Sequence, residues 1–458
     1  MCMEKMMNGI RTLWMVSLLI PAVAGVSLGA RQTDELSFTL AEAREYAVQH
    51  AYQAQTAALD EEAAQKEVWK TIAGGLPQIN GTVNYQHNFE VQSNVIDFGG
   101  QKQVIKFGTP YNTSAGISVT QKIFDGSYFI GVGASRVYLD LAKKQRNKAD
   151  IDVRKAVANA YYLVLAAEEN ERILRANLEA NGELLKETKA YYDNGFREES
   201  DVQQVELLVR QAENRLADAR RQIVTSRAVL KFAMGIDISR TIHLEDTLEF
   251  HTGRVLNEDE RGSVWNVEHH VDFLLSALNT RAQELLLKNE KASYLPKLNL
   301  FYNWNANAMT ESANVLSGNT DWFTSSSIGL SLNIPIFSSS KRMASVAQAK
   351  VSVKKAMVQQ TMTRQNLQKN FRVAESGFKS SKEKYVSSRR TLELAEDIYR
   401  KALVKFDNGI ASSTELNQLQ EQYLQSSSGL IAATLDLLGQ FLELETFFEN
   451  SEEENEKI

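Results

Sequence analysis

The chain has 458 residues, of which 43% are hydrophobic and 24% charged, with a formal net charge of −6. The apolar share excludes a disordered chain, the charged share excludes a polytopic helical membrane protein, and the acidic balance argues against a nucleic-acid partner. The single cysteine is Cys2, so the rest of the chain has no disulfide, no thiolate metal site and no cysteine nucleophile.

Residues 1–30 read as a secretory leader. Lys5 and Arg11 precede an apolar run from Leu13 to Val26, and small residues follow in "AVAGVSLGA". That run is short for a spanning helix, although an N-terminal anchor would share the pattern. Cleavage after Ala24, Gly29 or Ala30 fits, and no cysteine stands there to carry a lipid.

Two copies of one plan follow. The stretch from His50 to Pro77 matches that from His269 to Pro296, Ile123-Phe124 matches Ile336-Phe337, and "YYDNGFREESDVQQVE" from Tyr191 matches "KFDNGIASSTELNQLQ" from Lys405. Each copy predicts a helix, a strand pair, a long helix, a turn and a returning helix. The boundaries are 31–234 for the first repeat, 235–263 for a connector, 264–449 for the second repeat and 450–458 for an acidic tail, expected to be disordered.

The strand pairs alternate with period two. Ile79, Val83, Tyr85 and Phe89 alternate with Gln78, Asn80, Thr82, Asn84, Gln86 and Asn88. Leu298, Leu300, Tyr302, Trp304 and Ala306 alternate with Lys297, Asn299, Asn303, Asn305 and Asn307. Their partners run through Ala115, Ile117, Val119 and Ile123, and through Ile328, Leu330, Leu332, Ile334 and Ile336. The polar faces are almost wholly Asn, Gln, Ser and Thr, and most of the aromatics sit on the apolar faces. This suits strands with lipid on one side and water on the other. In lipid an open four-stranded sheet leaves two costly edges, so the barrel must be shared between chains, eight strands from two or twelve from three. The joining segments, Val91 to Tyr111 and Thr310 to Thr320, are expected as loops outside the cell.

The helices after the strands are long. From about Tyr128 to Tyr192, and from Ser340 to Phe406, there is no proline and almost no glycine. A row at heptad spacing runs Phe371, Ala374, Phe378, Ser381, Tyr385, Ser388, Leu392, Ala395, Tyr399, Ala402 and Phe406, and a similar row runs from Val157 to Tyr192. Such rows imply helices supercoiled on neighbours. Asn194-Gly195 and Asn408-Gly409 then read as helix ends, with Ser200 and Thr414 as N-caps of the returning helices. Asp201 and Glu415 fall in the first turns, where the helix dipole favours negative charge.

No catalytic constellation, cofactor site or metal site emerges. His269-His270 are adjacent and point about 100° apart on a helix, so they are no metal pair. Gly74-Gly75 opens a strand and is no phosphate loop. Basic residues read as matched by acidic ones throughout, a pattern of solvated helix faces. A secreted coiled-coil rod without channel activity would share the helices but not the amphipathic strands.

Taken in order, these features resemble the TolC-like outer-membrane efflux proteins from about Leu36 to Phe448. The resemblance rests on the two Leu-Pro strand starts, on the two Ile-Phe strand ends, and on the Asn-Gly turns followed by Ser200-Asp201-Val202 and Thr414-Glu415-Leu416. It implies an α+β membrane protein: a homotrimer with a twelve-stranded transmembrane β-barrel and a periplasmic tunnel of coiled-coil helices. It further implies an exit duct of a tripartite efflux or type I secretion system. The partners would be outer-membrane lipid, a periplasmic adaptor protein and an inner-membrane transporter. Asn194, Gly195, Phe196, Asn408, Gly409 and Ile410 would form the periplasmic tip where the adaptor docks. Tyr192, Arg197, Asp201, Phe406, Glu415 and Gln418 would form a constriction. Ala411 and Gln418 stand where the family can place an arginine and a second carboxylate, so the family's polar latch is only partly carried over.

Overall fold

The computed structural model describes residues 36–257, 265–315 and 320–449. The leader, the acidic tail, Gly262, Ser263 and Gly318 lie outside the described residues. The first repeat contains β1 (Leu36–Phe38), α1 (Leu40–His50), α2 (Tyr52–Ala73), β2 (Gln78–His87), β3 (Ser93–Phe98), β4 (Gln101–Lys106), β5 (Tyr111–Phe124), α3 (Gly126–Asp193) and α4 (Glu199–Met234). The connector holds β6 (Ile242–Leu244) and α5 (Leu248–Asn257). The second repeat contains α6 (Val271–Ala292), β7 (Lys297–Thr310), β8 (Trp322–Asn333), α7 (Lys341–Asp407) and α8 (Ser413–Glu445).

Four strands form one antiparallel sheet in the order β2-β5-β7-β8. Register carries the alternation across all of them. Ile79 pairs with Val119, Val119 with Tyr302, and Tyr302 with Ile328, which puts these four side chains on one face. Asn80, Ser118, Asn303 and Ser327 form the adjacent row on the other face. A one-residue slip would exchange the faces, so the apolar pattern holds the register. Ile79 is 71% exposed and Ile328 73%, so nothing among the described residues covers the apolar face there. The segment expected as a loop between β2 and β5 contains the β3–β4 hairpin. Gly99 and Gly100 turn it with φ of +64° and +91°, and Asp97 Oδ1 accepts from Gly100 N at 2.8 Å. Both central residues have positive φ, which an L side chain tolerates poorly.

Helices continue the strands. α2 leads into β2, β5 leads into α3, α6 leads into β7 and β8 leads into α7. The helices pack in the strand order, α2 on α3, α3 on α6 and α6 on α7. Farther from the sheet α3 packs on α4 and α7 on α8. Ala374, Phe378, Ser381, Ala395, Tyr399, Ala402 and Phe406 are buried, as are Val157, Ala160, Val164 and Ala167 in α3. The many small residues in these rows let helix backbones approach closely. Glu171 also lies in the α3 row, 6% exposed. Arg175 and Arg220 hold its carboxyl below the usual carboxylate range, against the burial that would raise it. On α7 the expected matching of charges fails: the segment from Lys341 to Ala374 has eight basic residues and no acidic one.

A belt wraps the middle of the helices. β1 pairs in parallel with β6, and α1 and α5 pack on α3 around Phe38, Ala47, Tyr161, Leu230 and Ile242. Asp246 ties this belt together. Its Oδ2 accepts from Leu40 N at 2.8 Å and from Tyr161 Oη at 3.1 Å, and His251 Nε2 lies at 3.1 Å. The carboxylate only accepts, so Nε2 of His251 carries the proton. Burial pushes the Asp246 carboxyl up, but the bonds from Leu40 and Tyr161 and the His251 ring outweigh it and hold it low. Burial holds the His251 ring below its ordinary value despite Asp246. Both shifts act in one direction. The unfolded chain takes up protons at His251 near pH 6.5 and at Asp246 near pH 3.9, above the folded values, so the belt loses stability as pH falls. The melting temperature should therefore drop from pH 7.5 to pH 5.5, and His251→Gln should flatten that drop. An equal drop in the variant would remove His251 as the cause.

Candidate functional site: the paired helix tips

Each long helix ends in the same hydrogen-bonded turn. Asn194 ends α3, and Gly195 then takes φ +78°. Gly195 N donates to Tyr192 O at 2.8 Å and Phe196 N to Tyr191 O at 2.9 Å. At the second tip Gly409 has φ +73°, Gly409 N donates to Phe406 O at 2.9 Å and Ile410 N to Lys405 O at 2.9 Å. This double closure satisfies helix carbonyls that would otherwise lack donors, and the positive φ favours glycine. The Asn194 and Asn408 amides each donate to the carbonyl four residues back, Ala190 and Val404, both at 2.7 Å.

The returning helices start two residues earlier than the expected caps. Glu198 and Ser412 stand at the N-cap positions, and Ser200 and Thr414 lie inside the helices. Once the glycine has reversed the chain, few residues are needed before helical geometry resumes. Ser412 Oγ accepts from Glu415 N at 3.2 Å, whereas Glu198 makes no side-chain cap.

The fold brings the two tips together through Arg197. Its guanidinium lies 4.1 Å from the Phe406 ring centroid, Nη2 donates to the Phe406 carbonyl, and Nη1 is 3.9 Å from Asp201 Oδ2. Asp201 Oδ1 accepts from Ser413 Oγ at 2.9 Å, and Thr414 Oγ1 donates to Gln204 Oε1 at 3.3 Å. Phe406 is 1% exposed and packs with Leu184, Val205, Tyr399 and Leu416. The six candidate constriction residues therefore divide. Arg197, Asp201 and Phe406 join the hairpins within one chain, while Tyr192, Glu415 and Gln418 are exposed. Phe196 and Ile410 are more than three-quarters exposed, two apolar knobs at matching places on the two tips. Ser413 was not among the sequence candidates. Its only signal was the hydroxyl run Ser412-Ser413-Thr414, which does not say which oxygen meets Asp201.

Above the tips the hairpins meet through more polar contacts. Gln420 Nε2 donates to Asn181 Oδ1 at 2.7 Å in a site where Gln420 is 2% exposed. Arg215 Nη2 reaches both carboxylate oxygens of Glu421 at 2.8 Å.

An amphipathic four-stranded sheet continuous with four long helices, and two helical hairpins meeting at paired tips, define the class of an α+β membrane protein. The family model for outer membrane efflux proteins matches residues 44–236 and 268–447. The chain belongs to that family, and so to the outer membrane, with its helical part in the periplasm. It is 25% identical over 342 residues to the outer membrane protein TolC of Vibrio cholerae, covering 72% of each chain. Among solved structures it is similar to the CmeC outer membrane channel of Campylobacter jejuni, with a TM-score of 0.70 and 16% identity over 91% of this chain and 89% of that one. It is also similar to the outer membrane protein VceC of Vibrio cholerae, with a TM-score of 0.66 and 16% identity over 89% and 95% of the two chains. These structures establish the fold.

Replacing Gly195 or Gly409 by Val should cost each turn at least about 1–2 kcal/mol, the penalty of a side chain in the left-handed region. Gly182→Val, in α3 with open space around it, should cost less. Protease nicking near residues 194–198 and 408–412, scored against Gly182→Val, checks this. Equal nicking in all three variants would show that the turn geometry does not need glycine.

Proposed function

We propose that three copies of this chain close into a twelve-stranded barrel and a twelve-helix tunnel. The assembly serves as the exit duct of a tripartite efflux or type I secretion system. The observation that carries this reading is that strands and helices run out of partners at the same two places. β2 and β8 are the sheet edges, and the helices attached to them, α2 and α7, are the outer members of their layer. α2 exposes Leu59 at 65% and α7 exposes Val358 at 69%. A neighbouring copy would cover both edges at once, β8 and α7 of one chain meeting β2 and α2 of the next. Pairing closes the backbone hydrogen bonds that lipid cannot satisfy.

In this reading the lumen of the barrel is lined by the Asn, Gln, Ser and Thr face, and the β3–β4 hairpin faces the exterior. The periplasmic adaptor docks at the tips, where Phe196 and Ile410 with Asn194, Gly195, Asn408 and Gly409 form the exposed surface. An inner-membrane transporter supplies the cargo. Tyr192, Glu415 and Gln418 face the axis at the constriction, and Arg197, Asp201 and Phe406 hold the two hairpins of each chain together behind them.

Two measurements test this. Ile328→Arg should cost the barrel about 2–4 kcal/mol if it lies near the bilayer midplane, whereas Ser327→Arg on the lumen face should cost much less. Thermal dissociation of the detergent trimer reads the difference, and equal losses would contradict the facing. In planar-bilayer recordings a ring of carboxylates favours cations. Asp201 is already bonded to Ser413 and lies beside Arg197, so Glu415→Gln should reduce cation preference more than Asp201→Asn. The reverse order would take Glu415 off the axis.

A further inference from the structure

The helix contacts inside the chain supply the register for the contact between copies. α2 and α6 are both 22 residues long, so Tyr52 corresponds to Val271, an offset of 219. α3 and α7 end at Asp193 and Asp407, an offset of 214. The side chains obey both offsets. Glu61 of α2 lies 3.1 Å from Arg146 of α3, and their counterparts, Thr280 of α6 and Gln360 of α7, are hydrogen-bonded at 3.3 Å. The junction of α3 with α6 joins one repeat to the next. There Ala292 stands beside Gly126 near the sheet, and farther from it Lys148 reaches Asp272 at 2.8 Å. In the trimer proposed above, on which this inference rests, α7 of one copy and α2 of the next form the equivalent junction.

Transferring that register sets Lys354 and Lys355 of α7 level with residues 59–61 of the next copy's α2. Asp60 and Glu62 then lie within about 4 Å of them along the axis. All four side chains are exposed in one copy. At 100° per residue, Lys354 and Lys355 flank a face of α7 that carries Val351 and Val358. Glu62 and Asp60 flank a face of α2 that carries Leu59 and Ala63. The two helices run antiparallel, so Lys355 falls on the side of Asp60 and Lys354 on that of Glu62. Glu62 has Lys66 of its own helix at 3.6 Å, an exposed contact that leaves its carboxylate open to a second cation.

Inside the chain the same places carry different charges. Lys354 corresponds to Asp140 and Glu62 to Arg281, both reversed in sign. Lys355 corresponds to Leu141, which is 7% exposed, and Asp60 to Asn279. A repeat that took the wrong neighbour would set Lys354 against Arg281, or Asp140 against Glu62. Two like edges fare no better. α7 against α7 opposes two stretches of eight basic residues, and α2 against α2 opposes Asp60 and Glu62 to themselves. The head-to-tail contact of β8 and α7 with β2 and α2 brings cations to carboxylates, and a contact of this kind can close a ring. We propose that charge selects which edges of two copies meet, through ion pairs of Lys354 with Glu62 and of Lys355 with Asp60 of the next copy. Exposed pairs add little affinity. Their part is to reject wrong neighbours, while strand pairing holds the right ones.

The test is assembly of the full-length chain in detergent at low salt, read as the trimer fraction by native mass spectrometry. Lys354→Glu with Lys355→Glu should lower that fraction by about fivefold or more, and so should Asp60→Lys with Glu62→Lys. All four changes together should restore it, because the signs are exchanged and the pairs remade. Raising salt to about 0.5 M should narrow the differences. Position is read separately. Cys2 is the only cysteine of the chain. In a Cys2→Ser background, Lys355→Cys with Asp60→Cys should be joined between copies by a short bismaleimide, and Lys355→Cys alone should not. The proposal is overturned if either reversed set assembles as the wild type does, or if the fourfold change assembles no better than the reversed sets. It is also overturned if the single cysteine links copies as well as the pair does. These results with a trimeric wild type defeat this inference alone, whereas a wild type that forms no trimer defeats the channel reading with it.

Discussion

Backbone hydrogen bonds at a sheet edge set the terms for this protein. A β-strand in hydrocarbon has no water to satisfy its amides and carbonyls, so each edge must meet another strand. The main sheet of this chain has four strands and leaves β2 and β8 as its edges. Since each strand is joined to a helix, the same order passes to α2, α3, α6 and α7, and in the proposed trimer one pairing closes both layers. The sheet also keeps register without an internal core, because its apolar and amide rows are consistent across all four strands.

Away from the sheet the balance changes. Within each hairpin the helices meet through small and apolar residues, and these contacts carry the packing energy. Between the hairpins near the tips an apolar cluster, Leu184 and Val205 with Tyr399, Ala402, Phe406 and Leu416, is joined by polar contacts: Asn181 with Gln420, Arg215 with Glu421, Arg197 with Phe406 and Asp201 with Ser413. Polar contacts of this kind fix relative position while adding little net stability. Separating the hairpins at the tips would open the apolar cluster around Phe406.

The two repeats share a backbone plan and differ in chemistry where they meet their surroundings. The helix before the first strand pair, α2, begins after Ala51 with no side-chain cap, whereas α6 is capped by His270 Nδ1, which accepts from Asp272 N at 3.2 Å. Arg146, Lys148, Arg154 and Lys155 of α3 lie within salt-bridge distance of carboxylates on other elements, whereas on the matching part of α7 Arg364 pairs with Glu268. One tip supplies Arg197 and Asp201, and the other supplies Phe406 and Ser413 to receive them. Duplication gave the symmetry of the wall, and divergence gave each side its own contacts.

The sequence by itself determined the elements. Period two marked the four strands, heptad rows and missing prolines marked the long helices, and Asn-Gly marked both tips, because these signals are local and repeat along the chain. The helix starts were misplaced by two residues, since Ser200 and Thr414 carry the right side chains at the wrong backbone positions. The β3–β4 hairpin and the belt strands were missed because they are short, and β1–β6 pairs residues about 200 apart in the chain. Only the tertiary structure decided that Phe406 is buried under Arg197 and that Asp201 spends its charge on Ser413. Such facts depend on which surfaces distant segments bring together, and no pattern within one segment contains them.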